Sequence, residues 1–402
     1  MEMATTVSPK TSTTTTMTTT RIFAEAHHVT VLRRMHLIPE KDRPEALRRV
    51  LIIIAIGWIP LMVLCLIHTQ LHQDAIASVF FGDVAVHARL LLASPLLVLA
   101  EYMVLPRLES IREHFANASL IADEHRERFQ VEVQKCHRMS ARLQYSGEIA
   151  LCAYALAFIM ILAVNRQELP AWQLASNGYS LSLAGWWHLL ISLPLLLGLT
   201  LGWLWRLIIW TRFLAAVARL GLRMVAAHPD KAAGLQFVAY SPRMFAPVGL
   251  AMSIVVAGTM GNAVLHHGLS PLDHPATPVV TAAVIAILFL FPPLIFTRLL
   301  VAAWRQGIFK YGDLATRLGN EFEEKWTVPG AQVDDSALGV PDFSATTDLY
   351  SIVSNVYNMR VMLFDYQGAI AIVVTALLPF APVWLSVIPL KTFSKELIGL
   401  LF

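Results

Sequence analysis

A chain of 402 residues that is 56% hydrophobic and only 15% charged, with a mean hydropathy of +0.58, lacks the charged surface of an ordinary soluble globule. The same figures exclude collagen-like, coiled-coil and wholly disordered classes, and a net charge of +3 gives no ground for nucleic-acid binding. Cys65, Cys136 and Cys152 show neither CxxC nor metal-ligand spacing, so no disulfide framework follows.

The run TSTTTTMTTT within residues 1–20 cannot bury a core and reads as a disordered polar tail. The basic juxtamembrane segment 21–49 contains no apolar run of signal-peptide length. Within it, Ile22, Phe23, Val29, Leu32 and Met35 lie among Arg21, Arg33 and Arg34, the pattern of a short helix lying on a membrane surface.

Seven segments then reach spanning length, which takes roughly 20 apolar residues. They are 50–68, 89–106, 148–165, 186–209, 245–265, 278–303 and 367–389. The expected fold is therefore all-α: a polytopic helical membrane bundle of about seven transmembrane helices with helical cytoplasmic extensions. Of the 31 lysines and arginines, 25 fall in 1–49, 107–147, 210–244 and 304–366. Basic residues stay on the cytoplasmic side, so this asymmetry predicts a cytoplasmic N-terminus. The last span carries Pro379, Pro382 and Pro389, and Lys391 and Lys395 follow it. A re-entrant hairpin there, giving six spans, is the alternative to a full crossing by 367–389.

Between spans two and three, Leu108, Ile111, Phe115, Phe129, Cys136 and Met139 belong to a strict 3-4 pattern, with a break offered by Asn117 and Ser119. Spans two and three are thus expected to continue into the cytoplasm as packed helices. In 304–327, Tyr311, Leu314, Leu318 and Phe322 form one helical face, opposite the charge pairs of Asp313, Arg317 and Glu321. Residues 328–348, rich in glycine, proline and aspartate, read as a loop.

The stretches RQGIFKYGDLATRLGNEFEEKW (305–326), PDFSATTDLYSIVSNVYNMRVMLF (341–364) and ALLPFAPVWLSVIPLKTFSKELIGLLF (376–402) resemble the C-terminal half of an uncharacterised family of bacterial multi-spanning inner-membrane proteins. HPDKAAGLQF (228–237) resembles the same family's loop, in which a Gly-Gly pair is usual where this chain has Ala233-Gly234. The resemblance covers about half the chain and implies a bacterial inner-membrane protein. It brings no reaction, cofactor or catalytic residue with it.

Four ionisable residues sit in or at the edge of the spans: Glu101, Arg206, Arg298 and Asp365. An intramembrane charge costs a few kcal/mol on insertion scales, so Glu101 is expected to face the bundle and pair with Arg206 or Arg298. Two roles are open to Glu101: the titrating site of an ion or proton pathway, or one half of a structural ion pair while the arginines reach the headgroups. Small-residue stripes follow, Gly198 and Gly202 ahead of Arg206 in span four, and Gly249, Ser253, Ala257 and Gly261 in span five. They allow close helix approach, and packing of the two stripes together would carry Arg206 to an interface. The adjacent Pro292 and Pro293 remove two backbone bonds within span six.

On the outer side, His68 and His72 have the i,i+4 spacing that places two imidazoles on one metal, with His266 and His267 as further donors. Polar interfacial residues with no shared site are the simpler account of them. Arg219, Arg223, Lys231 and Arg243 suit contact with anionic lipid heads. No phosphate loop, nucleophile elbow or paired-carboxylate motif is present, so nothing in the sequence assigns an enzyme reaction. The leading expectation is a channel or secondary transporter with a pathway between proline-broken helices. The alternative is a membrane sensor or assembly component that presents helices 107–147 and 305–326 to a cytoplasmic partner or a second copy.

Overall fold

Prolines mark where the helices begin and where they change pitch. The structure, a computed structural model, describes residues 21–23, 44–145, 147–165, 169–175, 180–327 and 342–386. Pro44 opens α1, whose apolar run is Glu45–His72; at the first helical position its missing N–H leaves no bond unmade. There follow α2 (Val84–Asn117), α3 (Arg126–Tyr145), α4 (Glu148–Ala163) and α5 (Leu183–Ala218). The chain continues with α6 (Gln236–His266), α7 (Ala276–Leu290), α8 (Pro292–Trp326), α9 (Asp342–Tyr357) and α10 (Tyr366–Leu385). Among the described residues the only β feature is an isolated bridge between Leu174 and Leu181.

Five of these helices, α1, α2, α5, α6 and α10, are long and apolar enough to cross a membrane. The pair α7 and α8, bent by 43° at the break before Pro292, makes a sixth if counted as one. Helix α4 is apolar but has only 16 residues, because Gly147 at φ 72° and extended Val164 bound it tightly. The expected count of seven is therefore not reached by helix length alone.

Pro95 and Pro194 do not break their helices; each is preceded by a π-helical turn, Ala88–Ala93 in α2 and His188–Ser192 in α5. A proline lacks the N–H for the i−4 carbonyl and its ring crowds that oxygen, and the wider π turn relieves both conflicts. Serines take up hydrogen-bonding capacity beside each turn. Ser94 Oγ donates to the Arg89 carbonyl at 2.9 Å, and Ser192 Oγ donates to the Gly57 carbonyl of α1 at 2.7 Å. Pro292 and Pro293 are buried in a 3-10 turn that starts α8.

The two ends of the bundle differ in chemistry. At the arginine-rich end, Phe129 of α3 meets Phe213 of α5 edge to face, and Phe115 packs on Phe213, Phe237 and Phe296. Full burial of a phenylalanine in such a cluster contributes about 1.5–3 kcal/mol relative to exposure. At the opposite end, Trp172 Nε1 donates to Asp83 Oδ2 at 2.8 Å and its ring meets Phe80 and His188. Helix α4 connects α3 at the first end with the Trp172 turn at the second.

Two expectations about the arginine-rich end need correction. Ile22 and Phe23 do not lie on a membrane surface: they are buried in the protein core, where Ile22 N donates to Glu109 Oε2 at 3.2 Å and His137 Nδ1 donates to the Arg21 carbonyl at 2.8 Å. The rest of that stretch, 24–37, is outside the described residues. The loop expected over 328–348 ends by 342, where α9 begins; 328–341 is outside the described residues. Thr346, Val353 and Val356 share a buried face that α8 covers, which is why this segment is helical.

Helices α8 and α9 form an antiparallel hairpin. Its tip is closed by Lys325 paired with Asp342 and by Phe343 packed against Phe322 and Trp326. The Lys325 ammonium holds the Asp342 carboxyl below the usual carboxylate range. At its base, Gly307 touches Val356 and Ala226, and Gly312 and Gly319 face the hydroxyls of Tyr357 and Tyr350. From Gly307 to Trp326 the hairpin is about 29 Å long at 1.5 Å per residue.

Candidate functional site: a buried charge triad

Glu101 lies on the most buried stripe of α2, among Leu97, Ala100, Val104 and Leu108, each no more than 1% exposed. On α5 the stripe facing it presents Trp203, Arg206 and Trp210, and the first turns of α1 present Arg49. The three charged groups meet. Arg206 Nη2 donates to Glu101 Oε1 at 2.6 Å, and Arg49 Nη2 donates to Glu101 Oε2. Arg49 is 3%, Glu101 7% and Arg206 5% exposed, so the cluster is dry.

Aromatic groups complete the enclosure. Arg49 Nη1 donates to the Tyr102 hydroxyl at 2.9 Å, and its guanidinium lies over the Tyr102 ring. Arg206 stacks over Trp203 with 5.0 Å from its Cζ to the ring centroid, while Trp203 Nε1 donates to the Leu97 carbonyl at 2.9 Å. Each ion buried away from water carries a desolvation penalty of several kcal/mol, which only close pairing with satisfied donors offsets. Both oxygens of Glu101 are held, one by each arginine.

No protein-family model, curated protein or solved structure matches this chain.

The triad thus stands on its own geometry, and it joins three elements where two were expected. Arg206 meets Glu101, whereas Arg298 does not reach it and lies exposed on α8. Arg49 has no place in the expectations because the apolar run of span one starts at residue 50. The signal for it was Pro44-Glu45, a helix start that puts Arg49 inside the helix at i,i+4 from Glu45. Asp365, at the start of α10, faces Arg243 at 3.8 Å, and Arg243 lies over Tyr240.

The small-residue stripes do not pack on one another. An added Cβ at Gly198 would meet nothing within 4 Å, and at Gly202 only Arg206 Nη1. Gly249 instead abuts Ile285 and Phe289 of α7, Gly261 abuts Val383 of α10, and Ser253 and Ala257 are buried in α6. Arg206 reaches its interface through α2 and α1.

The histidines expected on the outer side do not converge on a common point. His68 and His72 stack face to face with ring centroids 4.3 Å apart, and His68 Nδ1 lies 3.1 Å from Asp74. His266 Nε2 donates to the Gly82 carbonyl at 2.8 Å, and the His267 side chain is outside the described set. Among the described residues no three His, Cys, Asp or Glu groups are placed to hold a metal. Burial pushes the Cys136 thiol up to about 11 and keeps it in its protonated form near neutral pH.

The 228–237 loop is organised by Asp230, whose carboxylate accepts from the backbone N–H groups of Ala232, Gly234 and Gln236. Burial alone would raise its pKa, but these bonds and His228 outweigh it and hold the carboxyl below its usual range. Lys231 at φ 57°, Ala233 at φ 54° and Gly234 at φ 91° all occupy the left-handed region. That backbone gives a physical reason for a Gly-Gly pair at 233–234. The exposed Lys231 carries the same strain without a buried side chain to lose. Lys231→Gly is therefore expected to stabilise the protein by about 0.5–1 kcal/mol, read as a higher unfolding midpoint; a lower midpoint would show that the strain account is wrong.

Proposed function

We propose that this chain is a multi-pass protein of the bacterial inner membrane with a cytoplasmic N-terminus, and that it serves as an assembly or sensing component presenting the α8–α9 hairpin to a cytoplasmic protein. Seven crossings follow if α4 and the bent pair α7–α8 each count as one. Support for α4 comes from its path, which joins the arginine-rich end to the Trp172 end. The concentration of lysine and arginine at one end supports the orientation.

The observation that carries the reading is the hairpin itself. It extends about 29 Å in length, and Leu314, Ile352, Tyr350 and Phe343 remain exposed on it after the two helices have packed together. Apolar residues left exposed on a projecting element mark a surface for a partner. The buried triad favours this role over a transport pathway, because each oxygen of Glu101 already accepts from an arginine and an ion entering there would compete with both. The π turns favour a second reading, a channel or transporter, since irregular helix at membrane depth often accompanies function.

Photo-crosslinking in cells separates the two. A photoreactive residue at Leu314 or Ile352 is expected to give one discrete protein adduct, absent when the residue is placed at lipid-facing Phe158. No adduct at either hairpin position, together with an ion flux in proteoliposomes that Glu101→Gln abolishes, would replace this reading with the second.

A further inference from the structure

Trp172 plugs a smaller core at the end opposite the arginines. It packs there with Leu61, Cys65, Phe80, Val86 and Leu90, apart from the main core. Its Nε1 donates to Asp83 Oδ2, and its ring meets Phe80 and His188 edge to face. We propose that the turn Ala171–Gln173, which carries Trp172, is an acid-released cover, and that protonation of the buried His188 is the trigger. The inference rests on the sensing role proposed above and names its stimulus.

Local sequence makes the seat of the cover tight. At Gly185 an added Cβ would lie 2.2 Å from the Gln173 carbonyl oxygen, so glycine is what lets the turn cross the start of α5 this closely. Ser182 fixes the crossing: its Oγ accepts from the Gly185 N–H at 2.9 Å and donates to the Trp172 carbonyl at 2.8 Å.

His188 is the group under this cover that has no counterpart. It is 6% exposed, and its Nδ1 has no hydrogen-bond partner among the described residues. Arg89 of α2 is its charged neighbour. Arg89 Nη2 donates to Thr259 Oγ1, Asp83 accepts from Trp172 Nε1 and the Val86 N–H, and His87 Nδ1 accepts from Trp58 Nε1. The other packed segments bring no ionisable residue: α1 has none over 50–64, α4 none over 155–163, and α5 none over 189–205.

A protonated imidazole under the closed cover would be buried beside a cation with a donor unmet, so the closed state holds His188 neutral. Released to water, a histidine titrates near its ordinary value of about 6.5. The open state therefore binds a proton that the closed state does not. Closure is fully favoured above about pH 6.5 and is lost progressively below it.

The change has a route out of the turn. Pro60 has no N–H for the Ile56 carbonyl, and Trp187 Nε1 supplies one at 3.1 Å. Ser192 Oγ donates to the next carbonyl, that of Gly57, at 2.7 Å. His188 lies between these two ties, so its displacement pulls on α1, the helix that carries Arg49.

Hydrogen exchange of the full chain in detergent, corrected for the intrinsic effect of pH, tests the trigger. Amides of 173–175 and 182–187 are expected to exchange about eightfold faster at pH 5 than at pH 6, while those of 129–143 in α3 keep their protection. His188→Gln, and independently His188→Phe, should flatten that dependence; the slope is the readout, so a variant with a looser turn still reports. Gly185→Ala should expose the same amides at neutral pH.

A flat profile in the unaltered protein would overturn the proposal. Acid release retained in both His188 variants would also overturn it, passing the trigger to another group, Asp83 first. Equal acceleration in 129–143 would overturn it in favour of general acid unfolding. These readouts do not depend on a partner for the hairpin, which crosslinking at Leu314 and Ile352 decides separately.

Discussion

Glu101→Gln is expected to destabilise the protein by about 3–5 kcal/mol, the usual result of breaking a buried ion pair from one side. The substitution keeps the shape of the side chain but leaves the Arg49 and Arg206 guanidiniums facing each other across a neutral amide. The amide also turns a donor toward one of them. The loss should appear as a fall in unfolding midpoint on the order of 5–10 °C. It should be accompanied by separation of α1 from α2, because Arg49 ties the start of α1 to the middle of α2. An unchanged midpoint would mean that the triad is open to water.

Gly307→Leu is expected to undock the hairpin base. A Cβ alone at this position lies 2.5 Å from the Ala226 Cβ and 2.9 Å from Val356 Cγ1, and leucine adds three further carbons. Helix propensity favours leucine over glycine by under about 1 kcal/mol, whereas overpacking costs about 1–3 kcal/mol or more. The net effect falls on α9 and the loop at Ala226, so limited proteolysis between 342 and 364 should accelerate about tenfold while the bundle remains folded. Gly312→Ala is the control. Its Cβ would meet only the Tyr357 hydroxyl at 3.5 Å, and the hairpin should be as resistant as before or more so. Equal proteolysis of Gly307→Leu and the unaltered chain would show that the hairpin does not dock through this contact.

Much of the architecture is legible in the sequence because membrane-length apolar runs and the arginine distribution are signals that need no tertiary information. Glu101 stands out for the same reason: one carboxylate in a long apolar run must find a cation. Which cation is a matter of helix packing. Arg206 lies in an apolar run and is visible, whereas Arg49 sits at the edge of one and looks like any other cytoplasmic charge until α1 is seen to begin at Pro44. The stripes misled because small residues announce close approach without naming the partner: Gly249 found α7 and Gly258, off the stripe, found α2. Helix α9 was hidden since Asp342, Ser344, Thr347, Asp348, Ser351 and Asn355 interrupt its apolar residues, and its buried face has meaning only against α8. Ile22 and Phe23 have the composition of a surface anchor, and only the pocket between α2 and α3 makes them core residues.

The most direct measurement compares the unfolding midpoints of the unaltered protein, Glu101→Gln and the combined Arg49→Met, Glu101→Leu, Arg206→Met variant in one detergent. A structural lock built from a closed, dry triad predicts a large loss for the single substitution. It also predicts recovery to the unaltered value or above for the apolar triple, since well-packed hydrophobic residues replace a buried ionic cluster at little or no cost. A single variant as stable as the unaltered protein, or a triple variant no better than the single, would contradict it.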